Sequence, residues 1–190
     1  MISAREMISS LYGAYCLCRF DRRGLAYFNA THEGFWRSFV SALLVAPLHF
    51  AVTYIALEGQ TIEASTSTVI AIEALAYVIL VFAYPLAMHY VCRVIDRKRQ
   101  YISYIVAYNW AGVLLSVLAL PAVVIGDVGA AHTLANIVAL AVTVATLAIM
   151  WFIARIALEA SVLTAVAVVL LDLVIEVLVR ALVESRLGIG

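Results

Sequence analysis

The sequence predicts an all-α fold, a polytopic transmembrane bundle of about five helices preceded by an amphipathic N-terminal segment. Three observations predict it. Hydrophobic residues make up 66% of the 190-residue chain and charged residues 13%, against roughly 25% charged in soluble domains. The mean hydropathy is +1.06. The apolar residues gather in stretches of about 20, the length that crosses a ~30 Å hydrocarbon layer. Short polar connections separate these stretches, and basic residues fall in alternate connections.

Residues 1–34 form the one long polar segment. Ile8, Leu11, Tyr12, Tyr15 and Cys18 recur at helical spacing, with Arg5, Ser9, Ser10 and Gly13 toward the other side. The pattern predicts a short amphipathic helix, either lying among lipid headgroups or docked on the bundle. Charges throughout this segment exclude a secretory signal, which needs an uninterrupted apolar core near the start. Arg22, Arg23 and Gly24 predict a turn, and Thr31 is placed to cap the next helix.

The spans are expected at 35–57, 68–92, 101–125, 132–155 and 160–182, within a transmembrane domain of residues 35–182, leaving a short tail at 183–190. Residues 126–131 read as a tight glycine-containing turn, and 155–159 as a turn short enough to pair spans four and five as an antiparallel hairpin. The last span is the least regular. Asp172, Glu176, Arg180 and Glu184 follow one another at four-residue steps, so an interfacial C-terminal helix is the alternative to a fifth crossing. The Leu, Val, Ile and Ala on its other faces favour the crossing, because interfacial helices are more polar and more basic.

Orientation follows from lysine and arginine. Arg5, Arg19, Arg22, Arg23 and Arg37 precede or open span one, and Arg93, Arg97, Lys98 and Arg99 occupy the second connection. The first and third connections carry none. The positive-inside rule then puts the N-terminus in the cytoplasm, and a cell inner membrane is the expected location. Cys16, Cys18 and Cys92 all fall on that reducing side. Cys16 and Cys18 lack the second ligand pair of a zinc site, and His32, His49, His89 and His132 are scattered along the chain, so neither metal nor cofactor is expected. The formal net charge of 0 provides no field for nucleic acid.

Ionisable side chains inside a membrane cost roughly 2.5–3.5 kcal/mol each on insertion scales and call for an explanation. His49 and Asp172 fall near the midplane, and Glu73, Glu176 and Arg180 in the outer third. If spans one, two and five adjoin, these five residues form one polar network, with His49 facing Asp172 and Arg180 pairing Glu176 and Glu73. Such a network either clamps helices together or carries a proton. Pro47, Pro85 and Pro121 predict bends in the first three spans. Ala131, Ala135, Ala139 and Thr143, and then Ala157, Ser161 and Ala165, form small-residue stripes that suit close helix packing. Tyr101, Tyr104, Tyr108 and Trp110 read as an aromatic belt at the inner boundary, with Asn109 making an interhelical hydrogen bond. A second candidate surface, for lipid or a partner, comprises Arg19, Arg22, Arg23, Arg97, Lys98 and Arg99. No Walker loop, nucleophile elbow or zinc-protease motif occurs; His32-Glu33 is followed by Gly-Phe-Trp, with no second ligand at helical spacing.

The run from Arg99-Gln-Tyr-Ile-Ser-Tyr to Pro121, with Trp151-Phe-Ile-Ala-Arg-Ile-Ala-Leu through Ala165, resembles the Ypt-interacting-protein (Yip) family across about residues 35–182. That resemblance implies a non-enzymatic five-span protein acting in membrane organisation through partner proteins, with no catalytic residues to carry over. The leading expectation is therefore an interaction or scaffold protein, in contact with membrane lipids and with a membrane protein or further copies of itself. The alternative is a small proton- or ion-linked transporter or channel that uses the intramembrane acidic residues and His49.

Overall fold

The computed structural model describes residues 2–57, 64–127 and 132–188. The expected turn at 126–131 lies largely outside them, as do Ala131 and most of the first connection. Among the described residues seven α-helices follow in order: α1 (Ala4–Cys18), α2 (His32–Ser38), α3 (Val40–Leu57), α4 (Thr66–Val94), α5 (Tyr101–Asp127), α6 (His132–Ala157) and α7 (Val162–Leu187). A 3-10 helix at Arg22–Tyr27 lies between α1 and α2. Among the described residues five helical stretches are long and apolar enough to cross a membrane: His32–Leu57, Thr66–Val94, Tyr101–Val123, Thr133–Ala157 and Val162–Leu187. The chain is a multi-pass helical membrane protein.

Local signals set several helix ends. Thr31 caps α2, its hydroxyl accepting from the Gly34 amide at 3.1 Å. Ser65 and Ser161 cap α4 and α7 in the same way. The first span is two helices in near succession, with a break at Phe39. Helices α3, α4 and α5 continue through Pro47, Pro85 and Pro121. Between α6 and α7 the chain reverses over a few residues, with Glu159 at φ 50° and the Arg155 guanidinium donating to the Ala160 carbonyl.

Helix α5 is the hub, packed against α1, α2, α3, α4 and α6, while α7 packs on α4 and α6. The main core occupies the half of the bundle nearest α1. Trp110, Tyr84, Tyr104, Met88, Ile105 and Ile153 are each at most 1% exposed there. A smaller cluster closes the opposite end, where Ala76, Val183 and Leu187 meet Val69, Ile72 and Val179. Between the two the packing opens into a cavity.

The N-terminal segment belongs to the bundle. Ala14 and Leu17, both 0% exposed, join the same core as α5 and α6. The face of α1 set against the protein carries Ser10, Gly13, Ala14 and Leu17, whereas Ile8, Tyr12 and Tyr15 point outward; of the apolar stripe only Leu11 and Cys18 pack inward. Small residues win this contact because backbone closeness decides it. A Cβ on Gly24 would come within 2.5 Å of the Gly13 carbonyl oxygen. Arg37 fixes the other edge of the segment, pairing with Glu6 at 2.8 Å and with Glu33, while Asn29 donates to Glu6 at 2.9 Å.

Two packing expectations need correction. Ala139 and Thr143 of the first small-residue stripe are exposed, because the partly covered face of the first half of α6 runs through Ala135, Val138 and Val142; Ala157 and Ala165 of the second stripe are buried. The tyrosines of α5 do not form a boundary belt. Tyr104 is 1% exposed, since spacings of three and four put Tyr101, Tyr104 and Tyr108 on one face of a helix surrounded by others.

Candidate functional site

The intramembrane ionisable residues divide into two groups. His49, Glu73, Glu176 and Arg180 line one cavity of about 360 Å³, bounded by α3, α4, α5 and α7 and also faced by Ser116. Glu73 lies seven residues into α4, His49 eight residues before the end of α3, and Arg180 seven before the end of α7. At 1.5 Å per residue each is about 10–12 Å from the same end of the bundle. The cavity therefore sits about 10–12 Å in from that end, between the two apolar clusters, and His49 lies at this depth and not at the expected midplane.

Glu73 is the side chain with the least support. It is 5% exposed, and its Oε1 atom has no hydrogen-bond partner. A carboxylate shut away from water without partners is strongly disfavoured. That oxygen is an acceptor left free for a donor or a cation that reaches it through the cavity. His49 is half-buried and lies tilted against the ring of Tyr77, with centroids 4.6 Å apart; the Tyr77 hydroxyl donates to the Ala42 carbonyl at 2.6 Å. Glu176 and Arg180 are exposed at the α7 side of the cavity.

The expected pairing of Arg180 with Glu176 and Glu73 does not form. Among the described residues the ion pairs are Arg37 with Glu6 and Arg37 with Glu33. Asp172 is likewise not opposite His49. Both of its oxygens accept from the Tyr108 hydroxyl, at 3.0 and 3.1 Å. Four-residue steps advance the helix by about 400°, so the stripe turns by about 40° per step. Asp172 thus points at α5, two steps before Arg180 points at the cavity. Tyr108 joins a second polar group: its ring lies 4.6 Å from that of Tyr84, and the Tyr84 and Tyr104 hydroxyls bond to each other. Ser116, Tyr84 and Tyr108 had no distinct sequence signal as polar lining; the three-and-four spacing of the tyrosines was the available clue.

The basic surface also divides. Lys98 and Arg99 line a cavity of about 500 Å³ at the α1 end of the bundle. Arg22 lines a different recess with Arg155 and Glu159. Arg19 donates to the Tyr15 hydroxyl at 3.1 Å, and Arg23 is exposed. Arg97 lines neither cavity. Asn109 makes the expected interhelical bond, donating to Ser38 at 2.8 Å. No group of three or more His, Cys, Asp or Glu among the described residues has the geometry to hold a metal ion.

This fold and this cavity define a class, a multi-pass helical membrane protein with a polar chamber inside its apolar bundle. Compared with known proteins, the chain matches no family model, no curated protein and no solved structure.

Proposed function

We propose that the protein is a small proton- or cation-linked membrane transporter or channel, with Glu73 as the binding carboxylate. The buried Glu73 oxygen without a partner, facing a chamber large enough for several waters or a small cation, is the observation that carries the reading. Intramembrane acidic groups aimed at a cavity commonly mark ion pathways. In this scheme Glu73 exchanges a proton or holds a cation, His49 is the neighbouring proton acceptor, and Arg180 sets the field at the α7 side. The N-terminus is cytoplasmic in this proposal, on the strength of the arginine and lysine distribution, and the membrane is the cell inner membrane. The test is reconstitution into liposomes holding a pH-sensitive dye, with an imposed potential. The expected result is proton or cation flux above empty liposomes, lost in Glu73→Gln while the variant keeps its elution profile and melting temperature. Flux at background, or unchanged in Glu73→Gln, rejects the proposal.

A second reading, a non-enzymatic interaction or scaffold protein of the kind the Yip resemblance implies, is favoured by one observation. Glu176, Arg180 and Glu184 stand exposed along α7, a charged stripe of alternating sign that lipid tails do not solvate. A second copy would cover it, each Arg180 reaching an acidic residue one turn away on its neighbour. Cysteine cross-linking between Ala181→Cys copies in membranes, in a background lacking Cys16, Cys18 and Cys92, tests this; absence of a cross-linked dimer counts against it.

A further inference from the structure

We propose that the cavity at the α1 end is a binding site for the phosphate headgroup of an anionic phospholipid. It is independent of the Glu73 chamber, at the other end of the bundle. About 500 Å³ in volume, it is lined by His32, His89, Arg93, Lys98 and Arg99, with no carboxylate among its lining residues. Arg93, Lys98 and Arg99 make no ion pair or side-chain hydrogen bond among the described residues. The nearby acid Glu33 is already taken up by Arg37. Three cations and two imidazoles thus converge on one space without an internal counter-charge. Such a space favours an anion with several acceptor oxygens, and arginine's planar fork suits phosphate in particular. The positive end of the α5 dipole opens on the same cavity through Tyr101 and Ile102, adding to the field.

The walls select a lipid over a soluble phosphate. Phe35 and Trp36 form part of the lining, and Trp36 is 67% exposed at its rim. Tyr90 and Val94, 60% and 85% exposed, continue the apolar surface along α4. A headgroup in the cavity leaves its acyl chains against these side chains, with the indole at the headgroup level that tryptophan favours. A free phosphate would gain nothing from that apolar rim.

The site also separates specific binding from a diffuse basic surface. Arg97 and Arg99 belong to the same connection, but only Arg99 lines the cavity. Removing either lowers the charge of that connection equally, so the charge that sets topology is matched between the two variants, and their melting temperatures are compared alongside. The test is native mass spectrometry of the full chain in detergent, titrated with phosphatidylglycerol, phosphatidylcholine or inorganic phosphate. The expected result is phosphatidylglycerol retained over phosphatidylcholine, with affinity about fivefold weaker in Arg99→Gln and near wild type in Arg97→Gln. Equal retention of the two lipids, or equal losses in the two variants, overturns the site. Inorganic phosphate binding as tightly as phosphatidylglycerol overturns the lipid assignment.

Discussion

Tyr108 and Asp172 show how a single polar contact inside the apolar bundle carries both packing and consequence. One hydroxyl donates its single proton to the carboxyl group, with both oxygens within 3.1 Å. Tyr108→Phe leaves Asp172 without that donor, and Asp172→Ala leaves the hydroxyl without its acceptor. Each is expected to cost about 1–3 kcal/mol, the penalty for stranding a buried polar group. The double variant should cost less than the sum, since neither partner then remains to be stranded. Thermal unfolding in detergent of the three variants measures the cycle, and strictly additive losses would show that the pair is uncoupled. Cys18 provides a second test at this scale. Burial pushes its thiol above the ordinary range, so less of it is thiolate at a given pH. Maleimide labelling of Cys18, in a background lacking Cys16 and Cys92, should be slow at neutral pH and accelerate as pH rises past the usual thiol range; labelling at the rate of a free thiol at pH 7 would contradict this.

At the scale of elements, α1 and the 3-10 helix behave as one unit because two glycines let their backbones touch. A methyl on Gly24 meets the Gly13 carbonyl at 2.5 Å and the Leu17 side chain at 2.9 Å. The carbonyl is backbone and cannot swing aside, so Gly24→Ala must separate the two elements, at a cost of about 1–3 kcal/mol. The expected outcome is faster trypsin cleavage at Arg19, Arg22 and Arg23 than in wild type, with the spans still intact; cleavage at the wild-type rate would mean that the contact is softer than its geometry. The proline-containing helices are tied to neighbours by tyrosines. Tyr101 donates to the Pro85 carbonyl at 3.0 Å, and Tyr77 to the Ala42 carbonyl of the helix that contains Pro47. Tyr101→Phe is therefore expected to lower the melting temperature modestly, by the equivalent of about 0.5–1.5 kcal/mol.

The whole molecule is tight at one end and open toward the other. Aromatic and aliphatic side chains fill the α1 half, whereas the far half holds a cavity between α4, α5 and α7 and a small closing cluster. In lipid, helix association rests on packing and polar contacts and not on a hydrophobic drive between helices. The tight half therefore supplies the stability, which leaves the open half free to hold polar groups. In the proposed topology, with the N-terminus in the cytoplasm and all five long apolar helices crossing, Ser185 lies outside. A single cysteine at Ser185, in a background without Cys16, Cys18 and Cys92, should be labelled from outside intact cells. Protection until the membrane is opened would place both ends on one side and contradict a fifth crossing.

Hydropathy and local chemistry, read from the sequence, determined the helical class, the five long apolar helices, the Thr31 cap and the bond made by Asn109. The class, the long helices and the cap depend on composition over about 20 residues or on groups within a turn of one another, and these survive without knowledge of neighbours; for Asn109 only the polar group in an apolar helix was legible, and the packing supplied Ser38 as its partner. Which faces meet was a different matter. The outward turn of Tyr12 and Tyr15, the inward turn of Tyr104 and the exposure of Ala139 and Thr143 depended on α5 being the hub. The intramembrane charges show the limit most clearly. The depths of Glu73 and Arg180 were legible at 1.5 Å per residue, that of His49 was not, and four of the five residues expected in one network line one cavity. Asp172 does not, because a helix turns by about 40° over each four-residue step and only the tertiary packing decided which helix each side chain would face.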